Sequence, residues 1–78
     1  MIDSTSKQKV MVEKAEHGFL VKLHDYGDKD FLEDRLSEDF DISPIWLQVE
    51  KGEYEIFILQ FPDEKDGARL QAIIDGLE

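Results

Sequence analysis

Two stretches of the chain alternate apolar and polar residues with the period of a β-strand, and two others repeat apolar residues with the period of a helix. From Lys9 to Asp25 the alternation predicts a hairpin. A four-residue loop, Ala15-Glu16-His17-Gly18, with Gly18 supplying a positive φ, sets Val12 opposite Val21 and Val10 opposite Leu23. Phe19 joins them on one face, while Met11, Glu13, Leu20, Lys22 and His24 form a mixed opposite face. Ile45 to Phe61 predicts a second hairpin. A two-residue Lys51-Gly52 turn pairs Val49 with Tyr54, Leu47 with Ile56 and Ile45 with Ile58, so that register and apolar pattern agree on a buried face. That choice turns Trp46, Phe57, Leu59 and Phe61 to the other side.

Helical spacing follows each hairpin. After an exit turn at Tyr26-Gly27-Asp28, a helix capped by Asp28, or by Asp30 with Glu33 three residues on, carries Leu32, Leu36 and Phe40 at i, i+4 and i+8. Ser43-Pro44 ends it, because proline pushes its predecessor out of helical geometry. From Asp63 a second helix carries Leu70, Ile73, Ile74 and Leu77, weakened near its start by Gly67 and suited at its end by Gly76.

The expected fold class is therefore α+β: ββαββα, a four-stranded antiparallel sheet with two helices packed on one face. Residues 1–8 are polar and patternless and are expected as a flexible N-terminal tail; residues 9–78 form a single domain. Val12-Glu13-Lys14-Ala15-Glu16 and Val49-Glu50-Lys51-Gly52-Glu53 echo each other at a spacing of 37 residues, but further alignment needs a gap and the element order stands without duplication.

Composition sharpens this picture at a few points. At 78 residues the core is marginal by size. The absence of cysteine excludes disulfides and Cys-ligated zinc and fits a cytoplasmic protein. No apolar run is long enough to span a bilayer, and the first residues lack a signal-peptide pattern, so no membrane association is expected. A formal net charge of −10 would suit a disordered chain, but the 41% hydrophobic content and clear periodicity indicate a folded domain with a one-signed surface.

The charge is concentrated. Asp25 to Asp41 holds eight carboxylates against Lys29 and Arg35. On the predicted helix Asp30, Glu33, Asp34, Glu38 and Asp41 sweep roughly 140° of arc opposite the apolar stripe. Asp30/Asp34 and Asp34/Glu38 are like charges at i, i+4, each costing roughly 0.2–0.5 kcal/mol. Such an array repels nucleic acid and attracts basic surfaces.

The search for chemistry narrows the classes. The only histidines are His17 at a hairpin tip and His24 beside Asp25, away from any paired nucleophile, so no catalytic residues are expected. Asp28-Lys29-Asp30 opens like a calcium loop, but Leu32 and Glu33 occupy the fifth and sixth positions, where the motif needs a ligand and a glycine. Helix capping explains Asp25, Asp28 and Asp30 better than a divalent site, so no metal and no cofactor are expected. The glycines are isolated and the basic residues scattered, which disfavours direct nucleic-acid binding.

The expected function is a small acidic non-catalytic protein that binds another protein with a basic surface. Asp30, Glu33, Asp34, Glu38 and Asp41 steer; Trp46 and Phe57, paired across the second hairpin, supply affinity. An inhibitor mimicking nucleic-acid charge is its sharper form. The alternative is a homodimeric structural or accessory subunit closing over the Trp46/Phe57 sheet face; a metal-responsive domain using Asp25, Asp28 and Asp30 is a third class.

Overall fold

A computed structural model describes residues 1–77, with Lys51 described in its backbone only; Glu78, the last residue of the expected domain, lies outside the described residues. The elements run β1 (Val12–Lys14), β2 (Phe19–Leu23), α1 (Tyr26–Phe40), β3 (Ile45–Lys51), β4 (Tyr54–Phe61) and α2 (Gly67–Asp75). All strand pairs are antiparallel and lie in one sheet of order β1-β2-β4-β3. The α+β architecture and the ββαββα order are those the periodicity predicts.

The first hairpin adopts the predicted register over Val12–Lys14, with Val12 opposite Val21 and Lys14 opposite Phe19, but its ladder stops there: the predicted Val10–Leu23 pairing is not formed, and the Val10 N–H goes to Met1 instead. Ala15 donates its backbone N–H to the Gly18 carbonyl, and Gly18 sits at φ +71°. Only glycine fits here, because a Cβ would lie 2.0 Å from the Phe61 carbonyl oxygen.

The second hairpin keeps the predicted faces but not the predicted partners. Its turn is Gly52-Glu53, with Gly52 at φ +66°. Val49 therefore faces Ile56, Leu47 faces Ile58 and Ile45 faces Gln60. Moving the turn by one residue shifts every partner by two. Because side chains alternate with period two, that shift preserves which residues share a face.

The larger correction concerns which face is covered. β4 pairs with β2 so that Phe61 faces Phe19, Leu59 faces Val21 and Phe57 faces Leu23. The first hairpin already commits Val21 and Leu23 to the helix side. Phe57, Leu59 and Phe61 therefore go inside, in one core with Val10, Leu32, Leu36, Leu70, Ile74 and Leu77. The aliphatic face of Ile45, Leu47 and Val49, expected to be buried, is left open.

Both helices cap differently from the prediction. The N-cap of α1 is Asp25, whose carboxylate accepts from the Asp28 N–H, so Tyr26-Gly27-Asp28 is the first helical turn rather than an exit turn. At the other end Asp41 adopts a left-handed conformation and Ile42 donates its N–H to the Leu36 carbonyl. This reversal packs Ile42 against the core and leaves Phe40, expected in the stripe, 38% exposed. The N-cap of α2 is Asp66, accepting from the Arg69 N–H, three residues later than Asp63. Gly67 lets this first turn lie on the Phe19 ring, since a Cβ there would stand 2.5 Å from the ring carbon Cε1.

Residues 1–8, expected as a flexible tail, fold back onto the domain. The terminal ammonium donates to the Ile74 carbonyl, and Val10 N–H donates to the Met1 carbonyl. Asp3 is buried, accepting from the Thr5, Ser6 and His24 backbone N–H groups. Four donors, the His24 ring among them, make this polar segment dockable where an apolar pattern is missing.

Candidate functional site

Three surfaces carry the features that sequence reasoning singled out. The first is the outer face of α1. Leu32 and Leu36 are fully buried, which directs Asp30, Asp34 and Glu38 away from the sheet and leaves them exposed, followed by exposed Asp41 at the cap. Glu33 stands apart from them. It is half-buried and binds the Lys29 ammonium at 2.7 Å. Asp39 pairs with Arg35. Among the described residues, no cation lies within ion-pair distance of Asp30, Asp34, Glu38 or Asp41.

The second is the aromatic cluster at the flank of α1. Phe57 is 2% exposed and belongs to the core, so it is not available as a partner anchor. Trp46 and Phe57 are diagonal rather than paired, with ring centroids 6.4 Å apart, and Trp46 faces Leu59. Tyr26 meets both rings edge-on at 6.5 and 5.7 Å. Trp46, on the sheet edge, keeps 41% of its surface exposed. Of the two expected anchors, only this one presents surface to a partner.

Comparison with family models, curated proteins and solved structures finds no match to this chain.

The aromatic cluster surrounds a residue that sequence reasoning passed over. Lys29 is buried, its Nζ 3.8 Å from the Trp46 ring centroid and 4.6 Å from that of Tyr26. Burial pushes this ammonium down, but its hydrogen bond to Glu33 and the Glu33 charge, with Tyr26 and Asp30 adding, outweigh burial and hold it above its ordinary value. The ring faces and one carboxylate replace the water a lysine ordinarily keeps. In the sequence Lys29 reads as one of two basic residues in an acidic run; its burial depends on β3 reaching the helix flank.

The third surface is the open side of the sheet. Ile45, Leu47, Val49, Tyr54, Ile56 and Ile58 share it on β3 and β4, and Leu20 and Lys22 continue it on β2. Glu13 and Lys22 pair with each other at its β1 end, at 3.7 Å. This face lies on the side of the molecule opposite the acids of α1, so one flat contact cannot use both.

The remaining polar groups are engaged locally. Asp28 accepts from the Ser4 N–H and hydroxyl at 2.6 and 2.7 Å, and Asp25 caps α1. Among the described residues, no group of three or more His, Asp or Glu side chains is placed to hold a metal ion. His24 Nδ1 lies 2.9 Å from Asp3, and His17 is exposed at the hairpin tip. Burial pushes the Asp3 carboxyl up, but its hydrogen bonds from Ser6, Thr5 and His24 outweigh this and hold it below the ordinary value. A cavity of ≈ 740 Å³ opens between the N-terminal loop and the two helices beside Lys9, Asp28, Phe31 and Asp75. Its Lys9 and Asp75 pair at 3.1 Å and its Asp28 is committed to Ser4. No described helix is long and apolar enough to cross a membrane.

Proposed function

We propose that this chain is a small acidic, non-catalytic protein that acts by binding another protein with a basic surface. The observation that carries the reading is the outer ridge of α1: Asp30, Asp34, Glu38 and Asp41 exposed together, without a cation partner among the described residues. Like charges at i, i+4 cost a marginal domain stability, and an opposing basic surface converts that cost into attraction. Glu33 contributes through the Lys29 cluster rather than as a free charge, and the exposed edge of Trp46 is the nearest aromatic contact. The cysteine-free, strongly acidic composition fits a soluble cytoplasmic setting. An inhibitor that presents carboxylates in place of nucleic-acid phosphates is the sharper form of the same reading.

The test is capture of partners from the source cell at low and high salt, with wild type beside an Asp34→Lys/Glu38→Lys variant. This variant turns the Asp30/Asp34 repulsion into an attraction and exchanges the acidic pair at positions 34 and 38 for a basic one, so its fold is retained. Partners are expected to bind wild type at low salt, to release as salt rises, and to be lost by the variant. Duplex DNA added as competitor displaces the chain if the basic partner is a nucleic-acid-binding protein. Capture that survives both charge reversal and high salt would refute the reading. A second reading, self-association, is favoured by a separate observation, the open aliphatic sheet face.

A further inference from the structure

We infer that the open face of the sheet is closed by a second copy of this chain, stacked face to face. The two-layer body measures 33 × 28 × 19 Å, a slab with helices on one broad side and, on the other, only the N-terminal loop at Thr5 and Ser6 beside Tyr54 and Ile56. On that bare side Ile45, Leu47, Val49, Tyr54 and Met11 each keep between 37% and 71% of their surface exposed. At roughly 200 Å² for a whole large side chain these five alone present about 500 Å² of side-chain surface. Partly exposed Leu20, Ile56, Ile58 and Gln60 carry the patch toward the roughly 800 Å² per partner of a standard interface. The five-residue part alone falls within the roughly 300–600 Å² of the largest apolar patch on a typical monomer, a feature that is often functional, and the partly exposed neighbours carry it to the top of that range.

Charge selects the occupant. The chain carries −10, yet the described side chains of this face on β3 and β4 are aliphatic, tyrosine and Gln60, with Lys51 following at the hairpin end by register; Glu13 and Lys22 pair with each other near the β1 edge. A basic protein finds no acid to meet here, and an anionic lipid surface is repelled by the whole molecule. What fits is a flat, aliphatic surface with few charges, and this sheet is one. A twofold interface needs only one self-complementary patch. Stacked sheets lie about 10 Å apart with aligned strands. Each α1 then faces outward, with two sheets between the acidic ridges, which keeps the like charges several Debye lengths apart. Self-association of this face is independent of the basic-partner reading, because the two use opposite sides of the slab.

The two contacts respond to salt in opposite senses. Sedimentation equilibrium over a wide concentration range should give twice the chain mass, with the dimer tightening as salt screens the repulsion between two acidic chains. Ile45→Lys and Leu47→Lys should each weaken the dimer at least ~10-fold, and together leave a folded monomer by far-UV circular dichroism. Ile45 is mostly exposed in the single chain, so its replacement alone retains the fold and decides the matter if the double variant does not. Asp34→Lys/Glu38→Lys should remain dimeric. A monomer at every concentration would overturn the inference. So would a dimer indifferent to Ile45→Lys, which would use the free β3 edge or another surface, and so would a chain that pairs only with a protein of different sequence.

Discussion

Replacing Lys29 by methionine removes the ammonium while keeping an unbranched apolar stem of similar length. The ammonium sits 3.8 Å from the Trp46 centroid and 4.6 Å from that of Tyr26, and losing these contacts from a desolvated site costs about 1 kcal/mol. Glu33 then loses its partner at 2.7 Å. A fully buried carboxylate so stranded would cost several kcal/mol, but the Glu33 side chain is 23% exposed and can recruit water, which brings this part to about 1 kcal/mol. The expected total is ~2 kcal/mol, or about 8–16 °C in melting temperature for a domain of this size. Urea unfolding followed by the fluorescence of the single tryptophan, Trp46, measures it directly. The double variant Lys29→Met/Glu33→Gln should recover about half, since the second change removes the stranded charge. A Lys29→Met variant within ~0.5 kcal/mol of wild type, or a double variant no better than the single, would show that the buried pair contributes nothing.

Three further outcomes follow from particular contacts. Gly18→Ala should destabilise by at least ~3 kcal/mol, because left-handed strain adds to a clash with the Phe61 backbone, whereas Gly52→Ala, at similar φ in open space, should cost only ~1–2 kcal/mol; equal losses in chemical denaturation would discount the clash. Asp3 is held below its ordinary value of 3.8 in the folded chain, so its contribution is present above that pH and is lost as pH falls through the folded value. Asp3→Ala should therefore flatten the acid limb of the stability profile as well as lower stability at neutral pH, and an unchanged acid limb would remove Asp3 from that role. Gln71 donates to the Val10 carbonyl and accepts from the Val12 N–H, covering the outer edge of β1; Gln71→Ala should cost ~1–2 kcal/mol and accelerate amide exchange at Val12, which would stay slow if the side chain were dispensable.

Much of the fold was legible in local pattern. Val12, Val21 and Leu23 alternate beside a loop with one obligatory glycine, and Leu32 with Leu36, and Leu70 with Ile74, repeat at helical spacing. Elements of this kind are set by residues within a few positions of one another. The acidic ridge was legible for the same reason, since once Leu32 and Leu36 face inward the directions of Asp30, Asp34 and Glu38 follow from helix geometry. Cap positions were less so. Asp25, Asp28 and Asp30 are chemically alike, and only the junction with β2 and the claim of Ser4 on Asp28 distinguish them.

The sheet's covered side belongs to tertiary structure. β4 carries aromatic and aliphatic residues on alternate positions, both apolar, so period two alone is blind to which set goes inside. The pairing of Phe57, Leu59 and Phe61 with Leu23, Val21 and Phe19 breaks that symmetry, and it joins segments on either side of α1. The same pairing converts Phe57 from an expected anchor into core, leaves the aliphatic face open, and brings β3 beside α1 so that Lys29 is enclosed between Tyr26 and Trp46. By itself the sequence determined the elements, their order and the acid stripe, because these depend on neighbours along the chain. Tertiary structure decided which apolar face is spent on the core and which remains open, because that depends on contacts between residues distant in sequence.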